Sequence, residues 1–495
     1  MTGAEMAATV CIVGAGPAGV TLALALSDAK IETLLIDSGD STSNPEAQIL
    51  NLGTVVGDER LRLHDTRQRQ LGGTVNVWNT TVGTITGAKY APLDPWDLDC
   101  MAGAELPGWP IEYSDLEPHY RTAQEICGLG PFEYSGSAWA TPDRAPFEFP
   151  REELTSKVYQ FGPASRFLET HLHRLTSSDC VHIVANLTVS RLISEKDSRV
   201  GETRAVTRAG RDVRIKARLF VLAAGAIENA RLLLTSRADL GGLSPAAASW
   251  VGRCFMEHPR DYSLKLVADS PDVFERARFY DFAAATTGVM TCGRLAFENG
   301  PLPGALLPNM SVTLLPSPRP PGIVTRALRR AGLAQTRGGY GWSSCADPAR
   351  DFDGFRLLIN LEQRPQPANR VVLSADRDAL GMPRCEAHWS WSNEEQASLV
   401  RLRALVAEQA ESLGLGRVEC TASQLPDPNA HHHAGTTRMA ETAEFGVVDG
   451  DARVFGLDNL YVTGASVFPT AGFANPMLTI VALADRLGRH LVARG

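Results

Sequence analysis

The stretch from Thr9 to Ser38, TVCIVGAGPAGVTLALALSDAKIETLLIDS, restricts this chain more than any other. Val10–Val13 is a short apolar run of the kind buried on both faces of a parallel sheet. Gly14-Ala15-Gly16-Pro17-Ala18-Gly19 follows. Gly14 permits the tight turn out of the strand, Gly16 lets the backbone approach a pyrophosphate, and Gly19 lets the next helix pack on the strand. Val20–Leu26 carries apolar residues on every face, as a helix held between a sheet and a ligand does. Its N-terminus offers free N–H groups and the positive end of a dipole to phosphates. Ile31–Ile36 is a second buried strand ending at Asp37, at the distance from Gly16 where a carboxylate reaches a ribose 2′-hydroxyl. A carboxylate there repels a 2′-phosphate. The unit predicts an α/β fold around a dinucleotide, and by itself leaves FAD and NAD both open.

At 495 residues the chain is long enough for more than one domain-sized core. A net charge of −8 disfavours nucleic acid or an anionic membrane as partner. Met1–Ala8 reads as an extension too short for a secretory signal, and no run of about 18 apolar residues is present, so a cytoplasmic protein without a membrane span is expected. Nine cysteines are scattered without CxxC pairs. They predict free thiols in a reducing compartment, with neither disulfides nor a metal site.

Further along, Arg67 to Asn79 (RQRQLGGTVNVWN) holds a Gly72-Gly73 pair that suits either close backbone approach or a plain loop turn. Ser114 with Glu117 three residues later reads as a capping box, opening a helix that runs to about Cys127. Phe167–Leu175 reads as another helix. Val181–Val184, Thr188–Ile193 and Val213–Ala217 read as a hairpin-like meander. Leu219–Ala224 then reads as a separate buried strand, followed by Gly225 and a helix over Ile227–Thr235. Tyr262–Val267 and Phe355–Glu362 alternate as antiparallel strands do. The Pro- and Arg-rich stretch from Pro316 to Arg337 reads as a loop, a lid or an oligomer contact, with an exposed loop the preferred reading. Ser392 caps an amphipathic helix to Leu413. In the C-terminal block, Leu460–Thr463 reads as a buried strand ending at Gly464, and Met477 begins an apolar helix. An imidazole and an amide, from His431-His432-His433 and Asn475, are thus delivered by loops at the ends of core elements.

Taken together, these residues resemble the glucose–methanol–choline (GMC) family of FAD-dependent oxidoreductases. The likeness rests on GAGPAG, Leu71-Gly72-Gly73, Ala223–Glu228, His432-x-x-Gly435-Thr436, Gly446–Asp449 and the Asn459–Gly464 segment, in that order. It is nearest in look to the bacterial pyranose-oxidase-like branch that oxidises glycosides and aminoglycosides. The resemblance implies a Rossmann-type FAD-binding domain made of residues 1–90, 180–261 and 425–495. It also implies a discontinuous α+β substrate domain built on an antiparallel sheet, from 91–179 and 262–424.

For the site, the resemblance implies His432 as the catalytic base and Asn475 as its partner at the substrate oxygen. It places FAD contacts at Gly14, Gly16, Pro17, Ala18, Gly19, Asp37 and Ser38. Further contacts fall at Arg69, Leu71, Gly72, Gly73, Asn76, Val77, Trp78 and Asn79, and at Val189, Ala224, Gly225 and Glu228. The C-terminal contacts are Gly464, Ala465, Asn475, Pro476 and Met477. Some relatives attach FAD through a histidine just before the Trp of the Gly-Gly segment; here that residue is Val77, which implies non-covalent FAD. His431 or His433 takes the place of His432 if the register slips. Glu257-His258-Pro259 reads as a structural polar spot, with a substrate contact as its other reading. An imidazole with an ordinary pKa near 6.5 serves as a base around neutral pH. The implied reaction is oxidation of an alcohol on a sugar, glycoside or aminocyclitol-type substrate, with hydride transfer to flavin N5 and electrons passing on to O₂ or another acceptor. A dehydrogenase of a non-sugar secondary-metabolite alcohol and a non-redox lyase on the same fold are the alternatives.

Overall fold

Three parallel strands converge on the glycine-rich loop. The opening strand, Ala4–Val13, pairs in parallel with Thr33–Ile36 on one side and Asp212–Leu222 on the other. These registers come from a computed structural model that describes residues 4–99, 105–151, 153–196, 198–285, 288–300, 307–320, 340–421 and 425–494. Val181–Val184 extends the sheet beyond Thr33–Ile36, also in parallel. Leu187–Lys196, Arg199–Thr207 and Asp212–Leu222 form the antiparallel meander at the other end. Leu460–Val462 completes the sheet against Phe220–Leu222.

Three readings of the sequence change here. Val181–Val184 belongs to the parallel layer and not to the meander, because its partner is Thr33–Ile36. Val213–Ala217 and Leu219–Ala224 are one strand, Asp212–Leu222, whose first half pairs with Arg199–Thr207 and whose last residues pair with Leu460–Val462. Its exposed and buried halves reflect this change of neighbour. The supposed N-terminal extension is likewise structural from Ala4 onward, since Ala4–Ala8 pairs with Val213–Ala217.

The helix Pro17–Asp28 packs over this sheet, and Gly19 is required there: a Cβ would lie 1.9 Å from the Gly14 carbonyl oxygen. The C-terminal helix Met477–Arg494 packs beside it, burying Leu478, Val481, Ala482 and Leu487. The helix after Gly225 runs Ala226–Ser236. The helix ending at Cys127 starts at Tyr113, one residue before the expected cap; the Glu112 N–H donates to the Asp115 carboxylate at 2.9 Å and replaces the Ser114–Glu117 box. The Asn393–Ser412 helix does open with the Ser392–Glu395 capping box.

A second, nine-stranded sheet is antiparallel throughout. It runs from Gly416–Cys420 through Arg260–Ala268, Phe352–Leu361, Met310–Pro318, Met290–Phe297 and Leu154–Pro163 to Ile85–Tyr90 and Thr80–Val82, with Ala283–Ala284 beside Met290–Thr291. A small third sheet joins Gly53–Gly57 to Pro383–Trp389 and Arg370–Arg377. The fold is thus mixed α/β, a Rossmann-type parallel layer beside a large antiparallel sheet. Thr80–Tyr90 joins the antiparallel sheet and Gly53–Gly57 pairs with the 383–389 strand, so the chain crosses the expected domain boundaries twice. Of the Pro- and Arg-rich stretch, Pro316–Pro318 ends a strand, while 321–337 lies outside the described residues. Among the described residues no helix is long and apolar enough to cross a membrane. The eight described cysteines are all free thiols.

Candidate active site

The C-terminal ends of three parallel strands, at Val13, Leu222 and Val462, open onto one cavity of about 270 Å³. Ligands bind outside the carboxyl ends of parallel strands because the loops there are free to vary while the sheet holds them. Gly14, Gly16, Pro17 and Ala18 form its floor. Gly16 precedes the helix Pro17–Asp28 with no side chain bonded to the helix N-terminus, so those N–H groups remain available to an anion.

Asp37 lines the same cavity. Its carboxylate accepts the N–H of Ala15 at 2.8 Å and that of Gly39 at 2.7 Å. Burial raises its pKa, against these two N–H groups and the charge of Arg69. Ser38 and Arg69 stand next to it: Arg69 donates to the Ser38 hydroxyl at 2.8 Å and to the Asn51 amide oxygen at 2.7 Å. Glu228 is the hub of a buried ion network, 2.5 Å from both Arg67 and Arg69 and 3.3 Å from Arg231. Burial works against its charge, but the three guanidinium groups hold it far below the usual carboxylate range.

Val189, Ala224, Gly225, Gly464, Ala465, Pro476 and Met477 also line the cavity, as do Gly73 and Trp78. Others of the expected cofactor contacts do not. Gly19 sits behind the loop, as its packing role requires. Leu71, Gly72, Asn76, Val77 and Asn79 are off the cavity; Gly73–Val77 forms a 3₁₀ turn, and Leu71 and Asn76 line a separate pocket beside Leu168. Asn76 spends its amide on the Leu71 and Gly73 carbonyls, and Val77 is 42% exposed.

His432 and Asn475 are brought to the walls of this one cavity from loops 43 residues apart (475 − 432). The histidine loop is clamped in two ways. Met256 and Ala434 exchange backbone hydrogen bonds at 3.0 Å, and the Glu257 carboxylate accepts the N–H groups of Ala430, His431 and His432. Gly435 makes this approach possible: its φ is +87°, and a Cβ there would lie 2.1 Å from the Cys254 carbonyl oxygen. Burial pushes the Glu257 carboxyl up to about 8, with the three N–H groups acting in the opposite direction.

The three histidines differ. His431 is exposed and has a left-handed backbone, φ +67°. His432 is half-buried, and its Nδ1 lies 3.0 Å from Nδ1 of the fully buried His258. His433 is buried against Phe255, and its Nε2 has no hydrogen-bond partner. Burial, then the neighbouring His258 and Arg260, lowers the His432 pKa well below 6.5, which corrects the ordinary value expected from the sequence. His433 falls to about 3 and His258 to about 4, both chiefly through burial. The polar spot at Glu257-His258 therefore touches the histidine loop itself. Its signal in the sequence was only a carboxylate beside an imidazole. Arg67, Asn51 and Met382 also line the cavity without having been read as site residues. Arg438 serves the loop from within, fully buried and donating to the Pro107 and Phe445 carbonyls.

The residues fit a flavin dinucleotide. Gly225 has φ +82° and open space where a Cβ would stand, so a ligand can lie against its backbone. The free helix N-terminus and the Asp37 carboxylate lie along the same cavity. Residues 7–80 match the FAD binding domain, and residues 365–484 match the model described as GMC oxidoreductase. The protein is thus an FAD-binding oxidoreductase. Its C-terminal part is similar to the GMC oxidoreductases. Paromamine 6′-oxidase of Streptomyces fradiae is 26% identical over 96% of this chain and 90% of its own. C-glycoside 3-oxidase of Microbacterium trichothecenolyticum is 35% identical over 29% of this chain and 28% of its own. Among solved structures, pyridoxine 4-oxidase from Mesorbium loti shares the fold, with a TM-score of 0.54, 18% identity, and 98% of this chain and 99% of that one covered.

Proposed function

We propose that this protein uses non-covalently held FAD to oxidise an alcohol on a sugar, glycoside or aminocyclitol-type substrate to a carbonyl. The observation that carries the reading is His432, kept neutral and placed with Asn475 on the wall of the FAD cavity. The similarity along nearly the whole chain to paromamine 6′-oxidase, and to 6′′′-hydroxyparomomycin C oxidase of Streptomyces lividus at 24% identity, supports the substrate class. Bound FAD supplies the hydride acceptor. His432 takes the hydroxyl proton through an unprotonated ring nitrogen. Asn475 donates its amide N–H to the same oxygen and fixes its direction; an amide cannot take the proton, so the two positions are not interchangeable. Val77, in place of a linking histidine and off the cavity, supports dissociable FAD. The parallel layer and its loops hold FAD, and the antiparallel sheet carries the substrate side, broadly along the domain division expected from the sequence. The acceptor is O₂ or another oxidant, and the site of action is the cytoplasm.

A second reading has one observation in its favour: 2-methyl-1,2-propanediol dehydrogenase of Mycolicibacterium austroafricanum is 24% identical over 98% of this chain. Anaerobic mixing with a panel of aminoglycosides, glycosides, free sugars and small diols separates the two. Bleaching of the flavin by a sugar-class alcohol supports the first reading. Bleaching by diols alone supports the second, and no bleaching by any of them rejects both.

A further inference from the structure

The reciprocal hydrogen bonds between Met256 and Ala434 make an antiparallel bridge. Two residues outward on each side, that register sets His258 directly against His432, and the rings meet there nearly perpendicular, at 76°, with Nδ1 facing Nδ1 at 3.0 Å. Two ring nitrogens at this separation share one proton. Which ring owns it decides whether His432 turns an N–H or a lone pair toward the cavity.

We propose that His258 is a positioning residue that holds His432 as its Nδ1–H tautomer, so that Nε2 of His432 presents the lone pair. The inference rests on the reading of His432 as the base. The alternative arrangement puts the shared proton on His258. His258 Nε2, which is buried, then carries a lone pair, although the carbonyls of Ala471 and Gly472 act on this ring and favour an N–H. Nε2 of His258 has no direct hydrogen-bond partner, but the two backbone groups still favour an N–H on that buried ring over a lone pair. With Nε2 of His258 protonated, its Nδ1 is the acceptor and His432 Nδ1–H must be the donor. Nε2 of His432 forms no hydrogen bond to any described residue, and His432 lines the cavity. Both rings have depressed pKa values, which keeps the pair neutral and the single shared proton meaningful. Glu257 and His258 thus divide the work: the first holds the backbone of the histidine loop, the second sets the ring.

The test is the ring nitrogen spectrum of the FAD-loaded protein labelled with ¹⁵N-histidine, the His432 signals being identified by their loss in His432→Gln. Wild type is expected to show a protonated Nδ1 and an unprotonated Nε2 at His432. His258→Phe is expected to move those two signals toward the opposite tautomer. His258→Asn, whose side-chain oxygen replaces the acceptor, is expected to restore them. On a reacting alcohol, His258→Phe should lower kcat at least 10-fold with KM within twofold, and the Asn variant should recover most of the loss. A wild-type His432 protonated at Nε2 overturns the proposal even if the Phe variant does not fold. So does a Phe variant with unchanged nitrogen signals. Because the spectra need no substrate, failure of every alcohol to react rejects the proposed function and leaves the tautomer result standing.

Discussion

Oδ2 of Asp37 accepts a 2.8 Å hydrogen bond from the N–H of Ala15, 22 residues earlier. The acid that closes the second strand therefore holds the glycine loop that follows the first. With Gly39 as a second donor to the same carboxylate, Asp37 organises the loop even before a ribose reaches it.

Asp37→Ala is accordingly expected to act twice. It strands two N–H groups, which costs about 1–3 kcal/mol in the apoprotein, and it removes a carboxylate from the dinucleotide cavity. The melting temperature of apoprotein should fall, and flavin titration should show weaker binding. An unchanged apoprotein melting temperature would count against the loop-holding role; unchanged FAD affinity would count against the ribose.

His432→Ala should fold and keep FAD yet lose alcohol oxidation by about 10²-fold or more. His431→Ala and His433→Ala should retain most of it. The base works in its neutral form, and the His432 pKa is lowered, so the acidic limb of kcat/KM is expected well below pH 6.5. Stopped-flow flavin reduction across pH checks both points. A near wild-type rate in His432→Ala with loss in a neighbouring variant would move the assignment along the loop.

His433 links stability to pH. Its pKa is about 3 when folded, against about 6.5 when unfolded, so the unfolded chain binds the extra proton as pH falls below 6.5. The stabilisation is present above that pH and is lost as pH falls toward 3. His433→Phe removes this proton uptake beside Phe255. Relative to wild type, the variant should gain about 2 kcal/mol between pH 8 and pH 5. Denaturant titrations at the two pH values measure it; an identical loss in both proteins would show that His433 does not titrate on unfolding.

The flavin should leave the protein intact on acid precipitation, because Val77 has no group that forms a covalent link. Absorbance retained in the washed pellet would overturn this expectation.

Much of the nucleotide-binding unit was legible because its signals are local. A turn needing Gly14, a helix that starts at Pro17 without a side-chain cap, and an acid at a set distance from Gly16 are each written within a few dozen residues. The Ser392 cap was readable for the same reason, since Glu395 is one turn away. Asp212–Leu222 was not: its alternation changes because its neighbour changes midway, and the second neighbour lies more than two hundred residues downstream. The Glu112–Asp115 cap shows how little separates competing local signals, with Ser114 and Glu117 offering the same chemistry two residues away. The chain by itself determined which residue types reach the cavity: glycines at strand ends, Asp37, an imidazole and an amide. Only the tertiary structure decided what those groups become, by setting the buried His258 against the half-buried His432 across 174 residues. Tautomer and pKa depend on dielectric and on partners a few ångströms away, and those distances exist only once the chain has folded.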